Sequence, residues 1–251
     1  MDDNLDKELY QNLSDYLKDL AALNDLKDSA PAEYRLDDHQ NIVVRTRGSL
    51  EVICGPMFSG KSEELMRRLR RAMFAVSDKS VVIAFKHGLD TRYGASELLS
   101  HDGNKFRAIP TKCASTILSQ SSSSHVVGID EAQFFPEAIV PVVSALVKAG
   151  KKVIVAGLDL DFRGVEFGPM PSLLAIADSI TKLSAVCAKC GHDAPLTQRL
   201  IDGQPAAFDD GIVHVGGKDE YQARCRLCHV LTKRSVLSER CDGTPEELLR
   251  F

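Results

Sequence analysis

The segment from Gly55 to Ser62 has the residue types that hold a row of phosphate groups. It reads GPMFSGKS and matches the pattern GxxxxGK[ST], with Gly55, Gly60, Lys61 and Ser62 at the required positions. Glycines let backbone amides approach phosphate oxygens closely, the lysine can bridge the β and γ phosphates, and the hydroxyl can ligate Mg²⁺. The pattern therefore predicts that ATP and Mg²⁺ bind here, with contacts expected from Gly55, Pro56, Met57, Phe58, Ser59, Gly60, Lys61 and Ser62.

A pair of carboxylates follows a later apolar stretch. In HVVGIDEAQFF, Asp130 ends that stretch, where a carboxylate can hold the Mg²⁺ shell, and Glu131 comes next. Adjacent residues at a strand end point in different directions, so Glu131 can reach a substrate hydroxyl as a general base. The alternative is that Glu131 orients a water molecule for ATP hydrolysis. Gln133, Phe134 and Phe135 either form a pocket beside the acid or pack in the core.

Two CxxC pairs predict a structural zinc site. Cys187 with Cys190 and Cys225 with Cys228 have zinc-knuckle spacing, and 34 residues separate the pairs. Four thiolates complete a tetrahedral shell and leave no position for a reactive water, so the metal would staple the intervening loop. A redox role or a coincidence is the alternative. His229, next to Cys228, is the nearby histidine that could replace a ligand.

The elements that must position these residues alternate between strand-like and helical patterns. The strand-like runs are LEVIC, SVVIAF, HVVGID and KKVIVAG, and the helical runs are EELMRRLRRAMFA and PEAIVPVVSALVKA. This order predicts an α/β fold with a parallel sheet whose strands bind ligands at their carboxyl ends. The first helical run carries Arg67, Arg68, Arg70 and Arg71, which either assist phosphate binding or form a solvated face.

Changes in composition and sequence pattern divide the chain into four predicted parts. Residues 1–47 are expected to form an acidic extension, with a short amphipathic helix indicated by leucines at helical spacing and, after it, the run SAPAEYRLDDHQN as a linker. Residues 48–184 are expected to form the ATP-binding α/β domain, and residues 185–232 a zinc-binding domain rich in short polar segments. Residues 233–251 form a tail to which the sequence assigns no role.

Composition limits the function classes. The chain has 251 residues, 44% of them apolar, and a formal charge of −4, so a large core is expected and nucleic acid is not an expected partner. No apolar run approaches the length of about 18 residues that a membrane span needs, and the first residues, MDDNLDKELY, are acidic, unlike a signal peptide. We therefore expect a cytoplasmic protein with no membrane partner. Seven cysteines in such a chain argue against a disulfide framework.

Together, these features resemble the thymidine kinases of the zinc-containing, cellular type. The segments that carry the resemblance, over about residues 49–232, are GPMFSGKSEELMRRLRR, DTRYG, SHD, IDEAQFF, AGLDLDFRGVEFG, TKLSAVCAKC and GGKDEYQARCRLC. The resemblance implies a RecA-like P-loop domain and a zinc-stapled lasso loop that closes over the nucleoside. It also implies transfer of the ATP γ-phosphate to the 5′-hydroxyl of thymidine or deoxyuridine, a homotetramer, and feedback inhibition by the triphosphate product.

The resemblance also implies roles for single residues. Glu131 matches the family's catalytic base and Asp130 its Mg²⁺-linked carboxylate, whereas Asp90 and Arg92 match its phosphate and Mg²⁺-shell segment. Gln133 is expected among the nucleotide contacts. The expected nucleoside contacts are the apolar pocket of Met57, Phe134, Leu158, Phe162 and Phe167, the lasso residues Thr197 and Tyr221, and a pyrimidine-reading backbone formed by Ile212, Val213, His214, Val215 and Gly216.

Three rival functions stay open from the sequence. A different P-loop nucleoside or nucleotide kinase would use thymidine poorly. A zinc-containing ATPase that remodels nucleic acid would need a basic groove and stacking aromatics, against which the net charge of −4 and the absence of tryptophan count. A catalytically silent binding protein would not need Lys61, Ser62, Asp130 and Glu131 together.

An apolar pocket discriminates weakly against the loss of one methyl group, so deoxyuridine is expected to be accepted as well as thymidine.

Overall fold

The centre of the fold is a six-stranded sheet, seen in a computed structural model of the chain. All neighbouring strands in it run parallel. The residues that the structure describes are 33–36, 42–45, 47–75, 81–89, 97–99, 105–212 and 219–232. The strands, in spatial order, are β10 (Ser179–Lys182), β3 (Ser49–Cys54), β9 (Lys152–Gly157), β8 (Val126–Asp130), β4 (Val82–His87) and β7 (Ile109–Thr111).

Helices cover both faces of this sheet. Side chains alternate between the faces along each strand, so Val52 of β3 packs in one buried cluster and its neighbour Ile53 in another. The Ile53 face is covered by α1 (Lys61–Ala75). The Val52 face is covered by α2 (Ala114–Gln120), α3 (Ile139–Lys148) and α4 (Met170–Ala175). The α/β fold with a parallel sheet is thus confirmed.

Close packing of α1 on the sheet brings two predicted motifs together. A methyl group added at Gly128 of β8 would lie 2.7 Å from the Leu69 side chain of α1, so a larger residue there would have to displace Leu69. The GPMFSGKS motif spans the loop after β3 and the first two residues of α1, and β8 ends at Asp130. The phosphate-binding motif and the carboxylate pair therefore meet at the carboxyl edge of the sheet.

Short antiparallel strands follow the main sheet and form what we call the cysteine module, residues 185–232. Its small buried cluster consists of Ala185, Cys187, Ala194 and Ala223. A further two-stranded pair, β5 (Glu97–Leu99) and β6 (Lys105–Arg107), belongs to the α/β part. The strands of the module are β11 (Ala185–Val186), β12 (Asp193–Ala194), β13 (Leu196–Ile201), β14 (Gln204–Pro205) and β15 (Tyr221–Arg224).

Part of the predicted linker is a hairpin, so that prediction is wrong. Strands β1 (Glu33–Leu36) and β2 (Ile42–Arg45) pair antiparallel within SAPAEYRLDDHQN and the residues after it. Pro31 and the polar residues of this run are typical of a linker, whereas the β-branched run of β2 and the aromatic Tyr34 favour strands.

The remaining terminal predictions, the amphipathic helix and the tail at 233–251, lie outside the described residues. Within the part of the chain that the structure describes, no helix is both long and apolar enough to span a membrane.

Candidate active site

The loop between β3 and α1 has the backbone shape of a phosphate cradle. Gly55 has φ of 142° and Gly60 has φ of 84°, conformations that residues other than glycine rarely adopt. A methyl group at Gly55 would lie 2.3 Å from the carbonyl oxygen of Leu183, so the loop passes directly against the chain after β10. Phe58 also adopts a left-handed conformation, with φ of 66°. The two glycines thus permit the shape of the loop, whereas Phe58 keeps its conformation only where the surroundings impose it.

Lys61 and Ser62 lie where the motif predicts. The Lys61 ammonium donates a hydrogen bond to the carbonyl oxygen of Pro56 at 2.6 Å, and the Ser59 hydroxyl donates to the same oxygen at 2.8 Å. Burial lowers the pKa of Lys61, while the nearby carboxylates, Glu131 first, oppose that shift. The ammonium thus lies inside the curve of the loop, close to the carboxylates of Glu131 and Asp130.

Asp130 is a buried carboxylate at the end of β8. Its side chain is 5% exposed and accepts hydrogen bonds from the Ser62 hydroxyl and from the backbone N–H of Glu131. Burial raises the pKa of Asp130 to about 7, and the charge of Glu131 adds to the rise. A hydroxyl and a carboxylate in contact are ligands that Mg²⁺ accepts, and a nearby cation would stabilise the ionised form of Asp130.

Glu131 turns away from the strand because its backbone is left-handed, with φ of 54° and ψ of 42°. This conformation is uncommon for a residue with a side chain and persists where the surroundings impose it, often at functional sites. It ends β8 and begins the short 3₁₀ helix Ala132–Phe134. Asp130 and Glu131 therefore address different regions, as the adjacent positions predicted.

Gln133 fixes the orientation of Glu131 through a contact that the sequence does not indicate. The Gln133 side-chain oxygen accepts a hydrogen bond from the Leu158 N–H at 3.0 Å, which leaves its amide nitrogen to donate to Glu131 Oε2 at 2.6 Å. The Gln133 side chain is 3% exposed. A methyl group at Gly168 would lie 2.3 Å from the Gln133 carbonyl oxygen, so the neighbouring chain also packs tightly on this residue.

The two phenylalanines of IDEAQFF have different surroundings. Phe135 is buried in the core and contacts the ring of His87 edge-on, with centroids 4.7 Å apart. Phe134 is partly exposed and meets Phe167 edge-on at 5.6 Å. Phe134 therefore lies with a predicted pocket residue, whereas Phe135 packs in the core.

Burial, with the charge of Lys112, lowers the pKa of His87 and favours the neutral ring.

The segment from Leu158 to Phe167 runs between the sheet and the cysteine module. Phe162 is buried beneath the guanidinium of Arg199, which lies 5.6 Å from its ring centroid. The His229 ring bonds the Phe162 carbonyl oxygen at 2.8 Å. His229 is therefore engaged with the pocket segment and does not belong to the cysteine cluster.

The four predicted zinc ligands lie together. The sulfur atoms of Cys187, Cys190, Cys225 and Cys228 are all within 4.8 Å of one another. Tetrahedral zinc with bonds of about 2.3 Å needs sulfur atoms about 3.8 Å apart, so the cluster fits the ion with small adjustments. Burial acts to raise the pKa of Cys187, but backbone N–H groups, that of Cys225 first, hold it near 5. A thiolate is the form that binds metal.

The remaining predicted residues fall into two groups. Thr197 is buried and its hydroxyl accepts the Met57 N–H at 3.0 Å, Tyr221 is buried in β15, and Ile212 is 40% exposed. Asp90, Arg92 and the residues Val213, His214, Val215 and Gly216 lie outside the described residues.

The arginines of α1 have structural partners. Arg68 joins Glu51 of β3 at 2.8 Å and Glu64 of its own helix at 2.7 Å. Arg67 also bonds Glu64, and Arg70 donates to the Lys105 carbonyl oxygen at 3.0 Å. These contacts attach α1 to its surroundings and brace the helix itself.

An ion pair next to the phosphate loop was missed from sequence. Asp159 is buried and pairs with Lys182 of β10 at 2.7 Å. Burial raises the pKa of the neighbouring Cys54 to about 11, and the charge of Asp159 adds to the rise, so this thiol stays protonated. The acidic pair in the run LDLD, directly after a strand, was the available signal for Asp159.

Comparisons with known proteins cover this whole site. The sequence profile described as "Thymidine kinase" matches residues 48–229. A curated protein named thymidine kinase, from Coprothermobacter proteolyticus, is 54% identical over 194 residues, which are 77% of this chain and 96% of that protein. The profile range contains the phosphate loop, the carboxylate pair and all four cysteines.

Proposed function

The chain belongs to the thymidine kinase family, and we propose that Glu131 is the base that activates the nucleoside in its reaction. The protein is a nucleoside kinase that transfers the γ-phosphate of ATP to the 5′-hydroxyl of thymidine, in deoxynucleotide salvage. The observation that carries the role of Glu131 is its fixed side chain, held by Gln133 beside the phosphate loop. A hydrolase of the same fold would present a water at this place, whereas the family relationship favours a nucleoside hydroxyl.

The phosphate loop and the carboxylates divide the work of phosphoryl transfer. Backbone N–H groups of the loop and the Lys61 ammonium hold the β and γ phosphates and neutralise the charge that spreads over the transferred group. Glu131 accepts the proton of the 5′-hydroxyl as its oxygen attacks the γ-phosphorus, and the bond from that phosphorus to the bridging oxygen of ADP breaks. Ser62 and Asp130 would hold Mg²⁺, which supplies charge neutralisation on the phosphates when bound.

The nucleoside pocket is proposed on the other side of Glu131. Phe134 and Phe167 form an edge-on pair there, and Leu158 is tied to the base through Gln133. The pyrimidine would lie against this apolar surface, which accepts deoxyuridine because one methyl group changes binding little. The further members proposed from the family resemblance are Met57, Phe162, Thr197, Tyr221 and the segment 212–216 for the nucleoside, and Asp90 and Arg92 for the phosphate side.

The cysteine cluster is proposed to hold a structural zinc ion. Four sulfur ligands close the shell, so the metal would stabilise the module rather than take part in the reaction. The proposed division is an ATP-binding domain at 48–184 and a zinc domain at 185–232. A homotetramer and feedback inhibition by the triphosphate product are further proposals that rest on the family resemblance alone. A cytoplasmic location is proposed from the hydropathy of the chain and its acidic first residues.

The test is transfer of labelled γ-phosphate from ATP to thymidine, deoxyuridine, deoxycytidine or water. Thymidine and deoxyuridine should be phosphorylated, and Glu131→Gln should lower the turnover about 10²- to 10⁴-fold while ATP still binds. The matched control is Glu137→Gln, an exposed carboxylate six positions along the chain, which should behave as wild type. ATP hydrolysis without nucleoside phosphorylation would favour the ATPase class, and preference for deoxycytidine would favour a different nucleoside kinase.

A further inference from the structure

The cysteine module contacts the phosphate loop through one buried hydroxyl. Thr197 Oγ1 accepts a hydrogen bond from the Met57 N–H at 3.0 Å, and the Thr197 side chain is shielded, being 4% exposed. Thr197 lies in β13 opposite Ala223 of β15, and β15 leads directly into Cys225. The position of the hydroxyl is therefore set by the strand pair that leads into the second cysteine pair.

A second contact comes from the loop side. The ring of Phe58 packs against the buried cluster of the module, formed by Ala185, Cys187, Ala194 and Ala223. Phe58 has a left-handed backbone, which a residue with a side chain keeps only when its surroundings impose it. The packing of the ring on the module is such a constraint.

The loop is bounded on its other side by the main sheet. Gly55 lies against the Leu183 carbonyl oxygen, and the Leu183 N–H donates to the Cys54 carbonyl oxygen at 2.8 Å. The residues from Gly55 to Phe58 thus lie between the edge of the sheet and the cysteine module. Their backbone shape depends on both.

We propose that Thr197 is a positioning residue for the phosphate loop, with Phe58 as a second anchor, so that the cysteine module sets the affinity for ATP. The proposal rests on the proposed role of this loop in holding ATP. It gives Thr197 a role in addition to the nucleoside contact implied by the family resemblance. Binding is tighter when a loop is held in its bound shape beforehand, because less conformational freedom is lost on binding.

The experiment measures ATP binding by calorimetry, with Mg²⁺ and without any nucleoside. Thr197→Val keeps the shape of the side chain but removes the acceptor, and should weaken ATP binding about two- to tenfold, the range of one neutral hydrogen bond. Thr197→Ser keeps the oxygen and should bind ATP within about twofold of wild type. Thr232→Val, an exposed threonine of the same module, is the matched control and should change nothing.

Two further measurements keep the result interpretable. Zinc content and the midpoint of thermal unfolding are recorded for every variant, to identify one that has lost its fold. Phe58→Asn tolerates the left-handed backbone but cannot pack on the apolar cluster, so it should also weaken ATP binding even where Thr197→Val does not fold.

The outcomes separate this proposal from the proposed function. Unchanged ATP affinity in folded Thr197→Val and in Phe58→Asn would overturn the positioning role, as would a loss confined to thymidine binding. A protein that binds ATP, loses affinity in Thr197→Val and does not phosphorylate thymidine would support the positioning role and overturn the proposed substrate. Absence of ATP binding in wild type would overturn both.

Discussion

The contact between Gln133 and Glu131 gives the sharpest test of the proposed base. Gln133→Glu keeps the size of the side chain, and one oxygen can still accept the Leu158 N–H. The other oxygen then replaces an amide donor that lies 2.6 Å from Glu131 Oε2. The substitution therefore converts a hydrogen bond to the base into a repulsion between two carboxylates.

The size of the effect follows from the separation of the charges. Two carboxylates with charge centres about 4 Å apart interact by about 4 kcal/mol at an effective dielectric constant near 20. That energy corresponds to a factor of about 10³ in an equilibrium constant, an upper limit because the pair can share one proton. Glu131 must be ionised to accept the hydroxyl proton, so the acidic limb of the turnover profile should move to higher pH, with turnover on that limb lowered by up to about 10³-fold.

The assay is the pH dependence of thymidine phosphorylation at saturating ATP and thymidine, with rapid quenching to follow the chemical step. The matched control is Gln198→Glu, because Gln198 is also a buried glutamine and bonds the backbone of Val230 instead of a carboxylate. The control should lose stability without moving the limb. An unmoved limb in folded Gln133→Glu would refute the assignment of Glu131 as the base held by Gln133.

Three other predictions follow from the site. Asp130→Asn should abolish transfer. In the nucleotide-free protein it should raise the unfolding temperature relative to wild type, and this difference should be larger at pH 8 than at pH 5. Burial raises the pKa of Asp130 to about 7, so the wild-type fold loses stability as pH rises from about 4 to 7, and differential scanning fluorimetry reads this difference. Cys225→Ser should contain less zinc than wild type when the metal content is measured by atomic absorption. His229→Ala should keep its zinc, because the His229 ring bonds the Phe162 carbonyl oxygen and not the metal site. Gly168→Ala should cost about 1 to 3 kcal/mol in denaturant unfolding and reduce turnover, because its methyl group would meet the Gln133 carbonyl oxygen at 2.3 Å and its φ is 52°.

Much of the site is local in sequence and was therefore predictable. The phosphate loop, the carboxylate pair and each CxxC pair use residues within a few positions of one another, and the flanking strand and helix follow from hydropathy. The structure brings the loop, Asp130 and the cysteines to the expected elements. Such motifs can be predicted from sequence because residues only a few positions apart fix their geometry.

Edge strands and the hairpin were harder to predict. β7 and β10 are short and contain polar residues or proline, so their sequences lack the apolar run of a central strand. They form strands because the neighbouring strand offers them backbone partners. Pairing of this kind depends on the sheet that is already present and not on the segment itself.

The sequence by itself determined the chemistry that is available: a loop for phosphates, two adjacent carboxylates and four thiols. Tertiary structure decided which of these side chains touch. Met57 and Thr197 are 140 residues apart in sequence, and Gln133 and Leu158 are 25 apart, yet each pair shares a hydrogen bond at the site. Such contacts depend on strand register and on the close packing that glycines at 55, 128 and 168 permit, and neither is encoded in any short segment.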